Sequence, residues 1–497
     1  MPQTDSDTQP LSGSRLAAPA DLAKHLSESA SGGSTKAPFT DGTPNPPQAP
    51  PFLDGLPPLG GKYAPQEDVT KQLASLIEEH AMAGAFQKAL DKVCSEEVPE
   101  LDRIETLDQF YFYVDALVRW VPEIRVWESD GQKLHERTPY LRITQFYYYF
   151  NQPSLLPLQS PIAPGADRDL TPLSLWLRDF AVAWGSFLDT PPSAEFLASF
   201  KWAPEYGWQD YEKAPEEYAT FNEFFGRTFS DIDMLRPIAS RDDDRVVVFP
   251  AESTFVGQWA ISTEAGPPMP SPPSIVVKHI EWPIDELLQD SDYAKDFAGG
   301  IFCHSFLNTF DYHRQHAPVG GRIIEARFIA AQVYLKVTLD ELDPAEQEAM
   351  DPSIARAVFP HRYLDAQDET GYQFVQCRGL FVIESPIGKV AVLPMGMAHV
   401  SSVVFCKPQS EGSAPIVLTP EEKRGLSYAQ QVEAINRKLK EELVGKEIAK
   451  GDMLSLFQFG GSDIVTVFER KACVNVTAQV GVHYPVRSQM AFANINP

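Results

Sequence analysis

Cysteine is scarce, with five in 497 residues (Cys94, Cys303, Cys377, Cys406 and Cys473) and no CxxC pair among them. An odd, scattered set excludes a disulfide framework and a thiolate zinc site, and it fits a reducing, cytoplasmic compartment with each cysteine a small core residue. The chain also lacks any run of about 18 apolar residues, so no membrane span is expected. Its first 25 residues contain no apolar h-region and few arginines, which argues against a secretory signal and a mitochondrial presequence. Positive charge is in deficit, with 42 Lys and Arg against 68 Asp and Glu and a net charge of −26. Such a field repels nucleic-acid phosphates, so no nucleic-acid partner is expected. It also weighs against an anionic lipid substrate unless a local basic patch offsets it. No internal repeat is present.

What is there changes character twice along the chain. Residues 1–62 are rich in Pro, Ser, Gly, Thr and Ala and bury too little apolar surface to offset their ordering entropy, so they read as a disordered or loosely draped tail. From 63 to 205 the period is helical. Ile104, Leu107, Phe110, Tyr111, Val114, Leu117, Val118 and Val121 recur at three- and four-residue steps up to Pro122, and Leu175 to Leu188 forms a second such run. Between them LRITQFYYYFNQP is aromatic-rich and reads as either helix or strand, its rings as core packing. Beyond 206 come short β-type runs at 245–249, 274–277, 300–302, 322–328, 381–383, 389–393, 401–405 and 464–468. Residues 266–274 read as a Pro-rich surface loop, 284–297 as one short helix and 427–443 as a charged, solvated helix. The fold class expected is α+β, a helical domain over 63–205 followed by a β-rich, sandwich- or barrel-like domain over 206–497.

Two stretches invite chemistry. In KGDMLSLFQFGGSDIVTVFER (450–470) a strand runs into Gly460-Gly461-Ser462 and a second, strongly apolar strand follows. Paired glycines open backbone conformations closed to other residues and let the next hydroxyl approach its own preceding carbonyl. The stretch therefore reads either as a hairpin turn containing a serine or as a self-cleavage site. In the second reading Ser462 Oγ attacks the Gly461 carbonyl, the amide becomes an ester, and β-elimination cuts the chain. In DYHRQHAPVGGRI (311–323), His313 and His316 fall on a loop or turn; a lone His-x-x-His lacks the third ligand of a zinc site, and no metal is expected.

FNEFFGRTF (221–229), MLRPIAS (234–240), VVVFPAES (246–253), DYHRQHAPVGGRI and VLPMGMAHVSS (392–402) precede FGGSD in that order. Together, from about residue 200 to the C-terminus, they resemble the phosphatidylserine decarboxylase family of pyruvoyl-dependent decarboxylases. PEYGWQ before FNEFF, and the helical segment ahead of it, resemble more closely the fungal branch that contains the tryptophan decarboxylase of psilocybin biosynthesis. The resemblance implies a zymogen that cuts itself between Gly461 and Ser462, β and α chains that stay associated, and a covalent pyruvoyl group made from Ser462, with no pyridoxal phosphate and no metal. It implies His313 as the base for Ser462, oriented by Glu252 where the family has aspartate; the extra methylene moves the carboxylate by about one C–C bond, ~1.5 Å. It gives His316 the proton delivered to carbon after CO2 leaves, a task suited to imidazole. Turnover would run through a Schiff base between the substrate amine and the pyruvoyl ketone.

Met397, His399 and Phe459 are candidate substrate contacts, though His399 reads equally as a core residue, and Phe457 and Phe459, alternating toward the glycine turn, read in preference as core. His304 reads as structural, and Arg227 and Arg314 as partners of carboxylates. The expected activity converts a free L-amino acid, aromatic and such as tryptophan, to its amine and CO2, and an oligomer is compatible with it. The rivals are a phosphatidylserine decarboxylase making phosphatidylethanolamine, and an uncleaved, non-enzymatic binding protein that has lost its aspartate at Glu252.

Overall fold

The computed structural model describes residues 50–96, 98, 101–129, 132–263, 272–341, 362–366, 370–396 and 403–494; at 127–129, 132–134 and 461–462 it describes the backbone alone. The architecture is α+β, as the periodicity implies. Helices Asp68–Glu79, Ala83–Cys94, Leu107–Val118, Thr138–Phe150 and Pro172–Leu188 come first, interrupted by a hairpin of Val126–Ser129 with Gln132–His135. Thr106 and Thr171 cap two of these helices by accepting from the backbone N–H three residues on. The ambiguous aromatic stretch is the helix Thr138–Phe150. It is buried almost all round, which is why it shows no clean apolar face. Its rings are core: Phe146 stacks on Phe180 at 4.3 Å and Phe150 meets Trp176 at 5.7 Å.

The β-rich part is built on an eight-stranded antiparallel sheet. Its strand order is Glu447–Ile448, Gly321–Ile329, Arg378–Ser385, Gly388–Gly396, Gly461–Phe468, Ile301–Phe306, Ser253–Ala260 and His483–Tyr484. Both faces are buried. Phe381, Ile383, Val390, Val392, Ile464 and Phe468 point into one core, while Leu380, Val382, Ala391, Leu393, Val465 and Val467 point into the other. Burial on two sides explains why these strands read as continuous apolar runs without polar alternation. A four-stranded sheet, ordered Pro415–Ile416, Val403–Cys406, Met453–Phe457 and Arg314–His316, packs on the first face, with Phe405 4.8 Å from Phe381. A three-stranded sheet of Val474–Val476, Gln489–Ala493 and Val246–Val248 completes that side of the core.

Several expectations are corrected. Residues 50–62, assigned to the tail on composition, are docked: Phe52 lies edge-on to Tyr113 at 5.8 Å, and Gln109 Nε2 donates to the Pro57 carbonyl. Residues 1–49 and most of the 266–274 loop lie outside the described residues. The segment 284–297 is two short helices, Ile284–Leu287 and Ala294–Phe297, parted at Gln289 and Asp290, which take φ of 27° and 61°. The charged helix Tyr428–Leu443 is not a free insertion. It buries Leu439 and Leu443, and Asn436 pairs with both the N–H and the carbonyl of Phe328 on the adjacent strand. Three cysteines are buried, but Cys94 is only half-buried and Cys473 is exposed, so neither is a fully enclosed core residue.

One buried guanidinium ties the helical and β regions together. Arg378 donates to the carbonyls of Leu287, Gln376 and Glu286 and reaches Asp167 at 3.4 Å, with no exposed surface. Burial lowers its pKa to about 10, against the pull of the Asp167 carboxylate. Arg378→Met leaves the buried Asp167 carboxylate without its cation, with only the Gln289 amide at 3.3 Å among the described residues, and strands three carbonyls, so it is expected to cost on the order of 3–5 kcal/mol by urea unfolding. A loss below about 1 kcal/mol, the level of an exposed ion pair, would show the contact to be dispensable.

Candidate active site

The glycine turn is not a hairpin. Met453–Phe457 belongs to the four-stranded sheet, whereas Gly461–Phe468 lies in the middle of the eight-stranded one, so residues 458–460 cross between sheets. Gly460 makes the crossing at φ 103°, a conformation costly for any residue with a Cβ. On landing, the chain pairs Gly461 with Gly396 and Asp463 with Met395. Two residues advance on one strand for one on the other, which leaves Ser462 as the extra residue of a β-bulge. Bulges interrupt the ladder and re-aim the residue they carry.

The crossing is fixed from the helical side. The Phe459 ring is enclosed by Phe221 (5.3 Å), Phe225 (5.4 Å), Trp184 (5.6 Å) and Trp120 (6.1 Å). Asn222 accepts from the Phe459 N–H at 3.1 Å and donates to Asp189 Oδ1 at 3.0 Å, and Gln458 donates to the same Asp189 oxygen at 2.9 Å. Asp189 sits at the C-terminal end of the helix Pro172–Leu188, so that helix and the FNEFF turn grip the two residues before Gly460. Phe459 is thus placed in the core.

A second anchor lies beyond the bulge. Asp463 is fully buried; His304 Nε2–H donates to its Oδ1 at 3.1 Å and Gln373 donates to its Oδ2 at 3.4 Å. With Nε2 committed, His304 Nδ1 accepts from Thr370 Oγ1 at 2.9 Å. His304, read from sequence as structural, therefore buttresses the residue next to Ser462. The signal for Asp463 was present in the chain: a lone acid opening an otherwise apolar strand needs a buried partner.

His313 and His316 separate to opposite sides of one strand. His316 lies in the strand Arg314–His316 rather than in a loop, and His313 extends its ladder because Phe457 N–H donates to the His313 carbonyl at 2.8 Å. The His313 ring stacks on Phe225 at 3.8 Å and lies 6.5 Å from Phe457, on the face that meets the aromatic enclosure. Among the described residues neither of its ring nitrogens makes a well-formed hydrogen bond, although the backbone at Asp311 and Asn308 lies near enough to favour the protonated ring. Burial, reinforced by the Arg227 cation, lowers its pKa to about 3 despite the opposing Asp311 carboxylate, so the ring is neutral at physiological pH. Gln315 and Ser455 share this face.

On the other side, His316 Nδ1–H donates to the Gly451 carbonyl at 2.8 Å, which fixes the tautomer and leaves Nε2 to accept from the Tyr312 hydroxyl at 3.3 Å. Burial, then the Arg487 cation, lowers its pKa to about 3 as well.

Glu252 does not reach His313. Its carboxylate is held by both the Nε (2.7 Å) and Nη2 of Arg236, and Phe229 packs against both Arg236 and Tyr312, placing Glu252 on the His316 side. Among the described residues Arg227 and Arg314 have no carboxylate partner either. Buried Arg227 donates to the carbonyls of Phe310 and Asp311 beneath the Tyr211 ring, and Arg314 donates to those of Gly226 and Arg227. Both therefore shape the loop that leads into His313. Asp311 is paired with His483 at 3.0 Å; burial works to raise its carboxyl, but the His483 charge and hydrogen bond hold it lowered. Met397, His399 and the Ser462 side chain lie outside the described residues. Among the described residues no cluster of three or more His, Cys, Asp or Glu is arranged to hold a metal ion, and no helix is long and apolar enough to cross a membrane.

The family model for phosphatidylserine decarboxylase matches residues 221–491, the β-rich part from the FNEFF turn through the last strand. The chain belongs to this family of carboxy-lyases, which is pyruvoyl-dependent in general. It is 27% identical over 294 residues to phosphatidylserine decarboxylase proenzyme 3 of Schizosaccharomyces pombe, covering 59% of this chain and 23% of that protein. It is 25% identical over 331 residues to decarboxylase iboD of Amanita muscaria, covering 62% and 81%. It is 26% identical over 289 residues to a phosphatidylserine decarboxylase proenzyme of Shewanella loihica, covering 57% and 82%. Against the first of these relatives the chain spans less than a quarter of the length.

The two neutral histidines set an acid limit on stability. Both have pKa values near 3 in the folded protein, against about 6.5 unfolded, so the unfolded chain binds their protons first. Their contribution is complete above about pH 6.5 and is lost as pH falls, by about 1.4 kcal/mol per pH unit for each histidine. His316→Gln, which keeps a donor for Gly451, is expected to flatten the slope between pH 6 and 4 in urea-unfolding series. An unchanged slope would mean that His316 is already charged in the folded state.

Proposed function

We propose that the protein is a pyruvoyl-dependent decarboxylase that cleaves itself between Gly461 and Ser462 and acts on a free L-amino acid, aromatic in its side chain. The observation that carries the reading is the β-bulge at Ser462, set directly after the positive-φ glycine of an inter-sheet crossing. It lifts the scissile peptide out of the ladder while Asn222 and Phe459 hold one side and Asp463 the other. His313, buried, neutral and without a well-formed hydrogen bond among the described residues, supports the fit of the site to a group made from Ser462: it is a base able to take the hydroxyl proton. The pyruvoyl carbonyl supplies an electrophile for the substrate amine and an electron sink for the carbanion.

The chain's own residues do the rest. Asn222 and Asp189 hold the turn, Asp463 with His304 and Gln373 holds the start of the strand, and the aromatic enclosure excludes water. His316 is proposed to carry the proton to carbon: its one resting N–H is held by the Gly451 carbonyl, so Nε2 would first take the proton that the substrate ammonium sheds as the amine condenses. Its fixed tautomer also favours the exchange of roles, in which His316 serves Ser462 and His313 serves the substrate. Glu252 acts on either histidine only through the Arg236 and Tyr312 cluster. After cleavage, residues 462–497 would remain in place, because Gly461–Phe468 is paired on both sides in the middle of the eight-stranded sheet. Residues 63–205 are proposed as the helical domain and 206–497 as the catalytic one, in a cytoplasmic protein.

Phosphatidylserine is the competing substrate. Against it stand the net charge of −26 and a relative named simply a decarboxylase that is matched over 81% of its length.

Denatured intact mass tests the processing. Fragments of residues 1–461 and 462–497 are expected, absent in Ser462→Ala, and cleavage half-time should lengthen at least tenfold in Asn222→Ala with less change in Asn222→Asp. A folded single chain in the wild type, indistinguishable from Ser462→Ala, would return the binding-protein reading. His313→Gln should block cleavage while His316→Gln cleaves but turns over poorly; the reverse outcome exchanges the two roles.

Substrate is tested by offering free aromatic amino acids beside phosphatidylserine vesicles. Amine release from the amino acids is expected, and turnover of vesicles alone would make the protein a lipid decarboxylase.

A further inference from the structure

Gln315 and Ser455 have no task in the reaction as described, yet they form a built polar pair. Both are fully buried, they face each other across neighbouring strands, and Ser455 Oγ donates to Gln315 Oε1 at 2.8 Å. With the amide lying this way, Gln315 Nε2 is a buried donor that meets no partner among the described residues; turned over, the amide would donate to Ser455 and the pair would still offer one donor and one acceptor. A serine hydroxyl that gives its proton away keeps two lone pairs, so the pair offers one free donor and one free acceptor side by side. A buried donor left unmet costs about 1–3 kcal/mol, and native interiors keep few of them. The complement of adjacent donor and acceptor is a hydroxyl group, which accepts one hydrogen bond and donates one.

Strand geometry places the pair. His313 and Gln315, two residues apart on one ladder, share a face and are separated by about 6–7 Å along the strand. His313 is at the crossing, beneath Phe225, and Gln315 is one step further in, between the two packed sheets. With the substrate amine held at residue 462, on the reading proposed above, a side chain extending past His313 ends beside Gln315. The geometry points to Gln315 and Ser455 as the receptor for a hydroxyl on the substrate's side chain, which makes the substrate a phenolic or hydroxyindole amino acid. The hydroxyl accepts from Gln315 Nε2 and donates to Ser455 Oγ. A plain phenyl ring meets neither atom, and an indole N–H meets only the serine.

The test uses the mature protein and two substrate pairs that differ by one hydroxyl, tyrosine with phenylalanine and 5-hydroxytryptophan with tryptophan. Sites built to hydrogen-bond a hydroxyl reject the analogue lacking it by up to ~10⁴–10⁵, so kcat/KM is expected to favour the hydroxylated member at least about 100-fold. In Gln315→Leu the ratio should fall to within about threefold, the loss falling on the hydroxylated member, and Ser455→Ala should lower it in the same direction. Titration calorimetry with tyramine and phenethylamine gives a readout apart from turnover and should show the same ranking and the same collapse.

A wild-type ratio near one, as when a water molecule fills the pair, overturns the assignment. So does an equal fall for both members in Gln315→Leu, which would place the amide against the α-carboxylate. Either result, with amino acids still decarboxylated, leaves the proposed function standing. Turnover of phosphatidylserine vesicles and none of the four amino acids removes both. If Gln315→Leu does not accumulate as folded protein, Ser455→Ala carries the comparison.

Discussion

Phe459 enters an enclosure of four aromatic rings contributed by the helical region and the FNEFF turn, and the position of the next three residues follows from it. A buried phenylalanine in such a setting is worth about 3–5 kcal/mol against truncation, enough to select one conformation for the crossing, whose positive φ Gly460 adopts without steric cost. The backbone bond from Phe459 to Asn222 adds direction to that packing, since rings alone would let the turn rotate. Once the turn is fixed, the register of Gly461–Phe468 is fixed too, and the bulge falls on Ser462. The helical region, although outside the residues that the family model matches, is therefore part of the candidate site.

The strand Arg314–His316 acts as a partition. On the inner side His313 and Gln315 meet aromatic rings and the second sheet; on the outer side His316 joins Tyr312, Arg487 and, through Phe229, the Glu252–Arg236 pair. Buried cations here rest largely on carbonyls, as Arg227 and Arg378 do. That arrangement meets part of each guanidinium with carbonyl oxygens, and of the two only Arg378 also reaches a carboxylate, Asp167, among the described residues. It also leaves a positive charge beside His313, which with burial keeps the imidazole neutral.

The fold class was legible because helical period and apolar β-runs are local properties of the chain. Strand positions such as Ser274–Val277 and the helix Pro172–Leu188 follow from them, and the order of motifs from FNEFF to FGGSD is enough to indicate the family. Pairing was not legible. Met453–Phe457 and Gly461–Phe468 look like two arms of a hairpin because three residues separate them, and only sheet assembly sends them to different partners. The Glu252 contact failed for a related reason: a carboxylate two residues beyond a proline can be placed near a strand end, but its partner depends on which cation the fold brings up, here Arg236. The charged helix Tyr428–Leu443 misled because its two buried leucines lie among many polar residues, while the edge of Gly321–Ile329 that it covers is distant in sequence.

By itself the sequence determined the chemistry available. A serine after paired glycines, two histidines three residues apart and an apolar strand beyond are covalent facts, and local sterics carry them into a turn and a strand. Tertiary structure decided which of these groups meet. It put His313 under the turn and His316 behind the strand, seated Phe459 in rings drawn from positions 120 to 225, and made Ser462 the residue that its ladder leaves out. Those outcomes depend on burial and pairing between segments hundreds of residues apart, and no local pattern encodes them.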